Sequence, residues 1–200
     1  MPGSSSPAGT LAGRFLVAAP SMPDGRFQKS VVFMCKHDDD GALGIIVNNK
    51  VDDLPLGQVF KQLGIEGANA ANLQPVLFGG PVAPSSGLVL HSAEYKRKET
   101  MLVGDGLALT ASLEILKDIA DGNGPKQAWL ALGHSGWSPG QLDREMQDNA
   151  WLVVDGDPAL VFDGDLEAKW QRALDRLGGK GDGPGGGFDP ARYSHQIGRA

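Results

Sequence analysis

Apolar residues gather in short β-branched and aromatic runs at 15–19, 31–35, 43–47, 76–78, 88–90 and 150–154, each separated from the next by turn residues. Such runs predict strands. A further run, Gln127-Ala128-Trp129-Leu130-Ala131-Leu132, predicts another. Asp38-Asp39-Asp40-Gly41 is too short to carry a parallel crossover, so the strands on either side of it should form a hairpin.

Helical spacing marks four other segments. Leu56, Val59, Phe60 and Leu63 share one face, and Gly64 is placed to end that helix. Leu113, Leu116, Ile119 and Ala120 repeat the pattern, with Thr110 or Ser112 as cap and Gly122 as terminator. Ser138-Pro139 opens a third helix, in which Ser138 accepts from an amide near Gln141 and Gln141 reaches back. Leu142, Met146 and Ala150 then face inward. The last helix runs from about 165 to 177 and buries Leu166, Trp170, Leu174 and Leu177. Strands joined by short turns, with about four helices interspersed irregularly, predict an α+β fold rather than a repeating βαβ chain.

Composition narrows the setting. Two hundred residues with 41% hydrophobic content suit one domain. Residues 1–12 read as a disordered tail, 13–177 as the single domain, and 178–200 as a Gly-rich flexible tail. In that second tail Phe188 and Tyr193 are the groups able to dock back on the body. The net charge is −6, and the one tight basic run, Lys96-Arg97-Lys98, is flanked by Glu94 and Glu99, which argues against direct nucleic-acid binding. A single cysteine, Cys35, excludes an intramolecular disulfide and points to the reducing cytoplasm. The first residues lack signal-peptide character, and no apolar run reaches membrane-spanning length, so a soluble cytoplasmic protein is expected.

Chemistry is suggested at several places. Gly133-His134-Ser135-Gly136-Trp137 reads as a turn between the 127–132 strand and the helix that begins near Ser138. It is not a nucleophile elbow: Trp137 stands where the second glycine belongs, the helix starts too late, and the only later histidine is His195 in the tail. Ser135 is therefore read as a turn residue. In Cys35-Lys36-His37 an uninterrupted strand would put thiol and imidazole on one face. Two readings stand: a thiolate activated by His37, or a small buried cysteine beside a surface histidine, the latter favoured by the acids at 38–40. Cys35, His37, His91 and His134 show no metal-ligand spacing, and neither Gly79-Gly80-Pro81 nor Gly104-Asp105-Gly106 is a nucleotide fingerprint. No metal and no cofactor are expected.

Four segments taken in order resemble the YqgE/AlgH family of bacterial proteins. They are 15–32; Cys35-Lys36-His37 through Asn48; Phe78-Gly79-Gly80-Pro81-Val82; and Ala131-Leu132-Gly133 through Gly140-Gln141-Leu142 to Asn149-Ala150-Trp151-Leu152. The resemblance implies one α+β domain whose mixed, mostly antiparallel branched sheet rolls into a partial barrel. It also implies a transcriptional-regulator label without an assigned chemistry. Residue by residue it singles out Cys35, His37, Asn48, Gly79, Gly80, Pro81, Gly133, Trp137, Gly140, Gln141, Asn149 and Trp151. His134 replaces the family's tyrosine, Asn49-Lys50-Val51 replaces its Lys-Pro, and Gly198-Arg199-Ala200 replaces its Gly-His-Ala ending. The expected function is binding and indirect regulation through a protein or small-molecule partner. Its candidate ligand-binding residues are Asn48, Gly79, Gly80, Pro81, His134, Trp137 and Gln141, with a redox sensor or enzyme built on Cys35 and His37 as the alternative.

Overall fold

The computed structural model describes residues 10–67 and 70–178. Ten strands and five α-helices are present among them, in an α+β arrangement with an open sheet. The strands are β1 (Phe15–Ala18), β2 (Val31–Asp38), β3 (Gly41–Ile46), β4 (Lys50–Pro55), β5 (Pro75–Phe78), β6 (Val82–Ser92), β7 (Met101–Gly104), β8 (Leu107–Thr110), β9 (Ala128–Trp137) and β10 (Trp151–Val154). The helices are α1 (Leu56–Gln62), α2 (Leu113–Ala120), α3 (Gln141–Gln147), α4 (Pro158–Val161) and α5 (Leu166–Gly178). The single turn of α4, with Pro158 at its start and an Asp157 side-chain cap, adds a fifth helix to the four that periodicity predicts.

The main path of the sheet is β10-β1-β2-β3-β9-β6-β8-β7. β2 and β3 form the expected antiparallel hairpin. The branch lies on β9. Its first half pairs with β6 on one side and, in parallel, with β5 on the other, and its last residues, Ser135 to Trp137, pair with β3. The sheet then curls: Gly104 of β7 lies against Phe33 of β2, where an added Cβ would meet the ring at 3.3 Å. Curling lets alternate residues of nearly every strand fill one inner core, including Phe15, Phe33, Ile45, Leu90 and Trp129.

The outer face is covered in two patches. α3 closes one of them over Leu16, Met34, Trp137 and Trp151. α1 and α2 close the other over Val76, Val89 and Leu130. The last helix, α5, seals the inner core with Ala173 and Leu174. It is anchored by the Trp170 indole N–H, which donates to Ala18 O at 2.9 Å, and by Lys169.

One boundary is drawn differently by the structure, and another cannot be compared. Leu11 N–H donates to His37 Nδ1 at 2.9 Å and the Thr10 hydroxyl donates to His37 O at 3.0 Å, so 10–12 are tied to β2 rather than part of a free tail. The tail 178–200, with Phe188 and Tyr193, lies outside the described residues apart from Gly178 at the end of α5.

Candidate functional site

The Gly133–Trp137 segment is not a turn. β9 continues through it, because Gly133 at φ +77 lets the strand change its twist without stopping. Ser135 is fully buried, and its hydroxyl donates to Gly79 O at 3.2 Å. The serine therefore closes a backbone contact. The Gly79-Gly80 turn crosses β9 at that point: a Cβ on Gly79 would lie 2.3 Å from Gly133 O, and one on Gly80, at φ +151, would lie 2.3 Å from His134 C and O. The Gly79-Gly80 turn thus meets 133–135 backbone to backbone, with no room for a Cβ at either glycine. Pro81 follows on the surface. His134 is half-buried and pairs with Val82, and burial lowers its pKa.

The Cys35 thiol and the His37 imidazole do not share a face. The β2–β3 register passes from Met34↔Gly44 to Lys36↔Leu43, so Cys35 is the extra residue of a β-bulge. A bulge breaks the two-residue alternation of side chains. Cys35 joins the inner core with Phe33 and Ile45, while His37 pairs with Ala42 on the outer face and directs Nε2 to Asp143 of α3 at 3.8 Å. The sheet stands between them. Burial pushes the Cys35 thiol up to about 12, the reverse of activation.

Asn48 works as a clasp. Its Oδ1 accepts from Val31 N–H at 2.9 Å and its Nδ2 donates to Lys29 O at 2.8 Å, which fastens the end of β3 to the start of β2. It also lines a cavity of about 400 Å³ with Lys50, Asp52, Asp165 and Glu167, a wall of mixed charge at the start of α5.

Trp137 and Gln141 meet at Glu145, a residue that sequence reasoning missed. Glu145 Oε1 accepts from both the Trp137 and the Trp151 indole N–H groups, at 3.0 and 2.9 Å, and Oε2 accepts from Gln141 Nε2 at 2.8 Å. Phe27 stacks on Trp137 and meets Trp151 edge-on. The Gln141 side chain does reach back, accepting from Ser138 N–H at 3.0 Å, but the Ser138 hydroxyl donates to it rather than capping an amide. The signal was present in the four-residue spacing of Gln141 and Glu145 on one helix face.

A more apolar cavity lies on the other outer patch. Between α1 and α2 a cleft of about 440 Å³ opens over β6 and β9. Val89, Leu130 and Leu132 form its floor, Leu54, Val59 and Leu63 one wall, and Leu113 and Leu116 the other. Ser85 and Gly87 close it where β6 bulges away from β9, between Val82 and Gly87. Leu63 and Leu113 remain 48% and 42% exposed at its mouth. Not one lining residue is ionisable.

Two hydroxyls at the α2 end differ in state. Thr110 Oγ1 lies 2.8 Å from both His91 Nε2 and Thr100 Oγ1. His91 Nδ1 faces the Ser92 carbonyl at 2.9 Å and must carry the ring proton, so Thr110 donates to Nε2 and accepts from Thr100. Burial lowers the His91 pKa and favours this neutral form. Ser112 holds the N-cap position of α2 without bonding a helix amide, and its buried Oγ has no hydrogen-bond partner among the described residues.

Among the described residues, no three His, Cys, Asp or Glu side chains converge as a metal set, and no helix is long and apolar enough to cross a membrane.

Comparison with known proteins agrees with this architecture. A model of the AlgH-like family matches residues 15–182. A UPF0301 protein of Methylobacterium sp. (strain 4-46) is 44% identical, covering 100% of this chain and 94% of its own length. A UPF0301 protein of Ruegeria pomeroyi is 49% identical over 84% of this chain and 92% of its own. The solution structure of the AlgH protein from Pseudomonas aeruginosa superimposes with a TM-score of 0.73 at 36% identity, covering 90% of this chain and 94% of that one. A crystal structure from Corynebacterium diphtheriae, at 22% identity and a TM-score of 0.68, shares the fold.

Proposed function

The chain belongs to the AlgH-like family, and from that premise we propose that it is a binding module. It seats a small apolar ligand in the α1–α2 cleft and passes the occupancy of that cleft to a regulatory partner. The observation that carries this reading is an open, uncharged cavity of about 440 Å³ with leucines left exposed at its mouth. Small-molecule sites are of this size and character.

Regulation in this reading is indirect. Net charge is −6, and Arg97, the centre of the one basic run, is held by Asp118 and Tyr95. That disposition favours a ligand or protein partner over a nucleic acid. The thiol-sensor alternative loses its support because Cys35 is buried with a raised pKa and His37 is on the other side of the sheet. A cytoplasmic setting belongs to the same reading, since the lone Cys35 asks for no oxidising compartment.

The experiment is complementation of a deletion strain, read as its transcript profile. Leu63→Asp combined with Leu113→Asp alters two residues at the mouth; its thermal midpoint checks that it folds, and the expected result is loss of complementation. Cys35→Ala is expected to complement fully. The reverse pattern would overturn the reading in favour of thiol chemistry.

A further inference from the structure

We propose that residues 10–12 form a strap that neutral His37 holds against the end of β2, and that a proton taken up by this imidazole releases it. The strap lies on the outer patch closed by α3, so the inference is independent of the cleft between α1 and α2.

The direction of one hydrogen bond decides the chemistry. A backbone N–H can only donate, so His37 Nδ1, 2.9 Å from Leu11 N, must accept and carries no proton. The ring proton then sits on Nε2, which faces the Asp143 carboxylate of α3 at 3.8 Å. A second proton can enter only at Nδ1. There it turns the acceptor into a donor and sets N–H against N–H.

Little else holds the strap. Among the described residues, both hydrogen bonds that join 10–12 to the sheet end on His37, one on its ring and one, from the Thr10 hydroxyl, on its carbonyl. The Ala12 amide is satisfied within the strap, by Thr10 Oγ1 at 3.3 Å, and Leu11 O accepts from Arg14 N–H at 3.1 Å. The next anchor is Gly13, whose N–H donates to Met34 O at 2.7 Å. Leu11 rests on the outer patch but is only partly buried. Losing the ring acceptor should therefore lower the ratio of held to released strap by about tenfold or more.

No neighbour of the ring can take over the lost role. Asp143 meets it from α3 on the Nε2 side, away from Leu11, and can pair with the charged ring. Lys36 and Asp38, which flank His37 on β2, pair with each other at 3.7 Å. From β3 comes Ala42 and from the strap Thr10 and Leu11, all uncharged.

Release changes what the sheet presents. β1 pairs with β2 only as far as Phe33, and beyond the Cys35 bulge β3 pairs with it on one side. The strap covers the other side of that stretch. Letting it go uncovers a strand edge next to the apolar seat of Leu11.

The test is nitrogen-15 NMR of the full-length protein titrated from about pH 8 to about pH 5, the range in which histidine side chains change charge. The heteronuclear NOE of the Leu11 and Ala12 amides reports the strap, and the His37 ring resonances report its proton. Both amides should be as rigid as Gly13 at the alkaline end, and their NOE should fall with the same midpoint as the ring titration. His37→Asn keeps an acceptor oxygen at the δ position and cannot titrate, so its strap should stay rigid throughout. A strap that remains rigid once the ring is protonated overturns the proposal, as does a ring that takes up no proton over this range. Release at an unchanged midpoint in His37→Asn overturns it as well, by assigning the proton to another group.

Discussion

Lys169 lies beneath the indole of Trp129, with its ammonium 5.4 Å from the ring centroid, although its own side chain has no exposure to solvent. Nζ donates to Val47 O at 2.7 Å and to Val161 O at 2.9 Å, and the Trp129 N–H donates to the same Val161 carbonyl at 2.7 Å. One side chain of α5 thus joins the end of β3 to the end of α4. A buried ammonium satisfied by carbonyls and an aromatic face still lacks much of its hydration.

That deficit has a sign. Burial lowers the Lys169 pKa from 10.5 to about 8, against a smaller raising effect of Asp163. Between those values the unfolded chain binds more protons than the folded one, so stability rises with pH. The contribution is fully present above 10.5 and is lost as pH falls through about 8. It amounts to about 3 kcal/mol. Urea denaturation at a series of alkaline pH values is expected to show this rise, and Lys169→Met should abolish it. A flat profile in the unsubstituted protein would contradict the assignment.

Cys35 should behave as a core residue. Iodoacetamide labelling is expected to follow the unfolding equilibrium, accelerating with urea, and His37→Ala should leave the labelling rate of folded protein unchanged. Rapid labelling below neutral pH, slowed by His37→Ala, would restore the thiol pair.

Gly80→Ala should prevent folding or cost more than about 4 kcal/mol, through both strain and overlap. Its φ is +151, and the new Cβ would stand 2.3 Å from the backbone of His134. Gly64→Ala, at φ +71 in open space, is expected to cost only about 1 kcal/mol. Thermal denaturation of the two variants checks the contrast.

Glu145→Ala leaves the Trp137 and Trp151 indole N–H groups without their acceptor and should cost about 2–4 kcal/mol, whereas Glu145→Gln keeps one acceptor oxygen and should cost about 1. Chemical denaturation gives the energies. The two indole N–H resonances report whether the bonds are lost, and unshifted resonances in Glu145→Ala would refute them.

Much of the fold was legible in the sequence because it depends on local pattern. The β2–β3 hairpin follows from the acidic turn at 38–41, and the ends of α1 and α2 follow from Gly64 and Gly122, both at positive φ. The family could be read from ordered motifs, and the family match over 15–182 agrees with it. Strands β4, β7 and β8 were not legible. β4 is polar and largely exposed, and the other two are four-residue strands of a hairpin whose glycines read only as a turn.

What the sequence alone determined is which segments are apolar, with what period, and where the chain must turn. It could not say which side of the sheet a residue faces after an irregularity, because a bulge is specified by pairing between strands rather than by local preference. Cys35 and His37 were parted in that way, and Gly133 carried β9 through what looked like a turn. The cleft belongs to the tertiary structure for the same reason. Leu56 and Phe60 of α1 are buried while Val59 and Leu63 border the cavity, yet all four carry one apolar pattern. Periodicity marks the face a helix turns from water, and only the packing of α2 and the bulge of β6 leave part of that face uncovered.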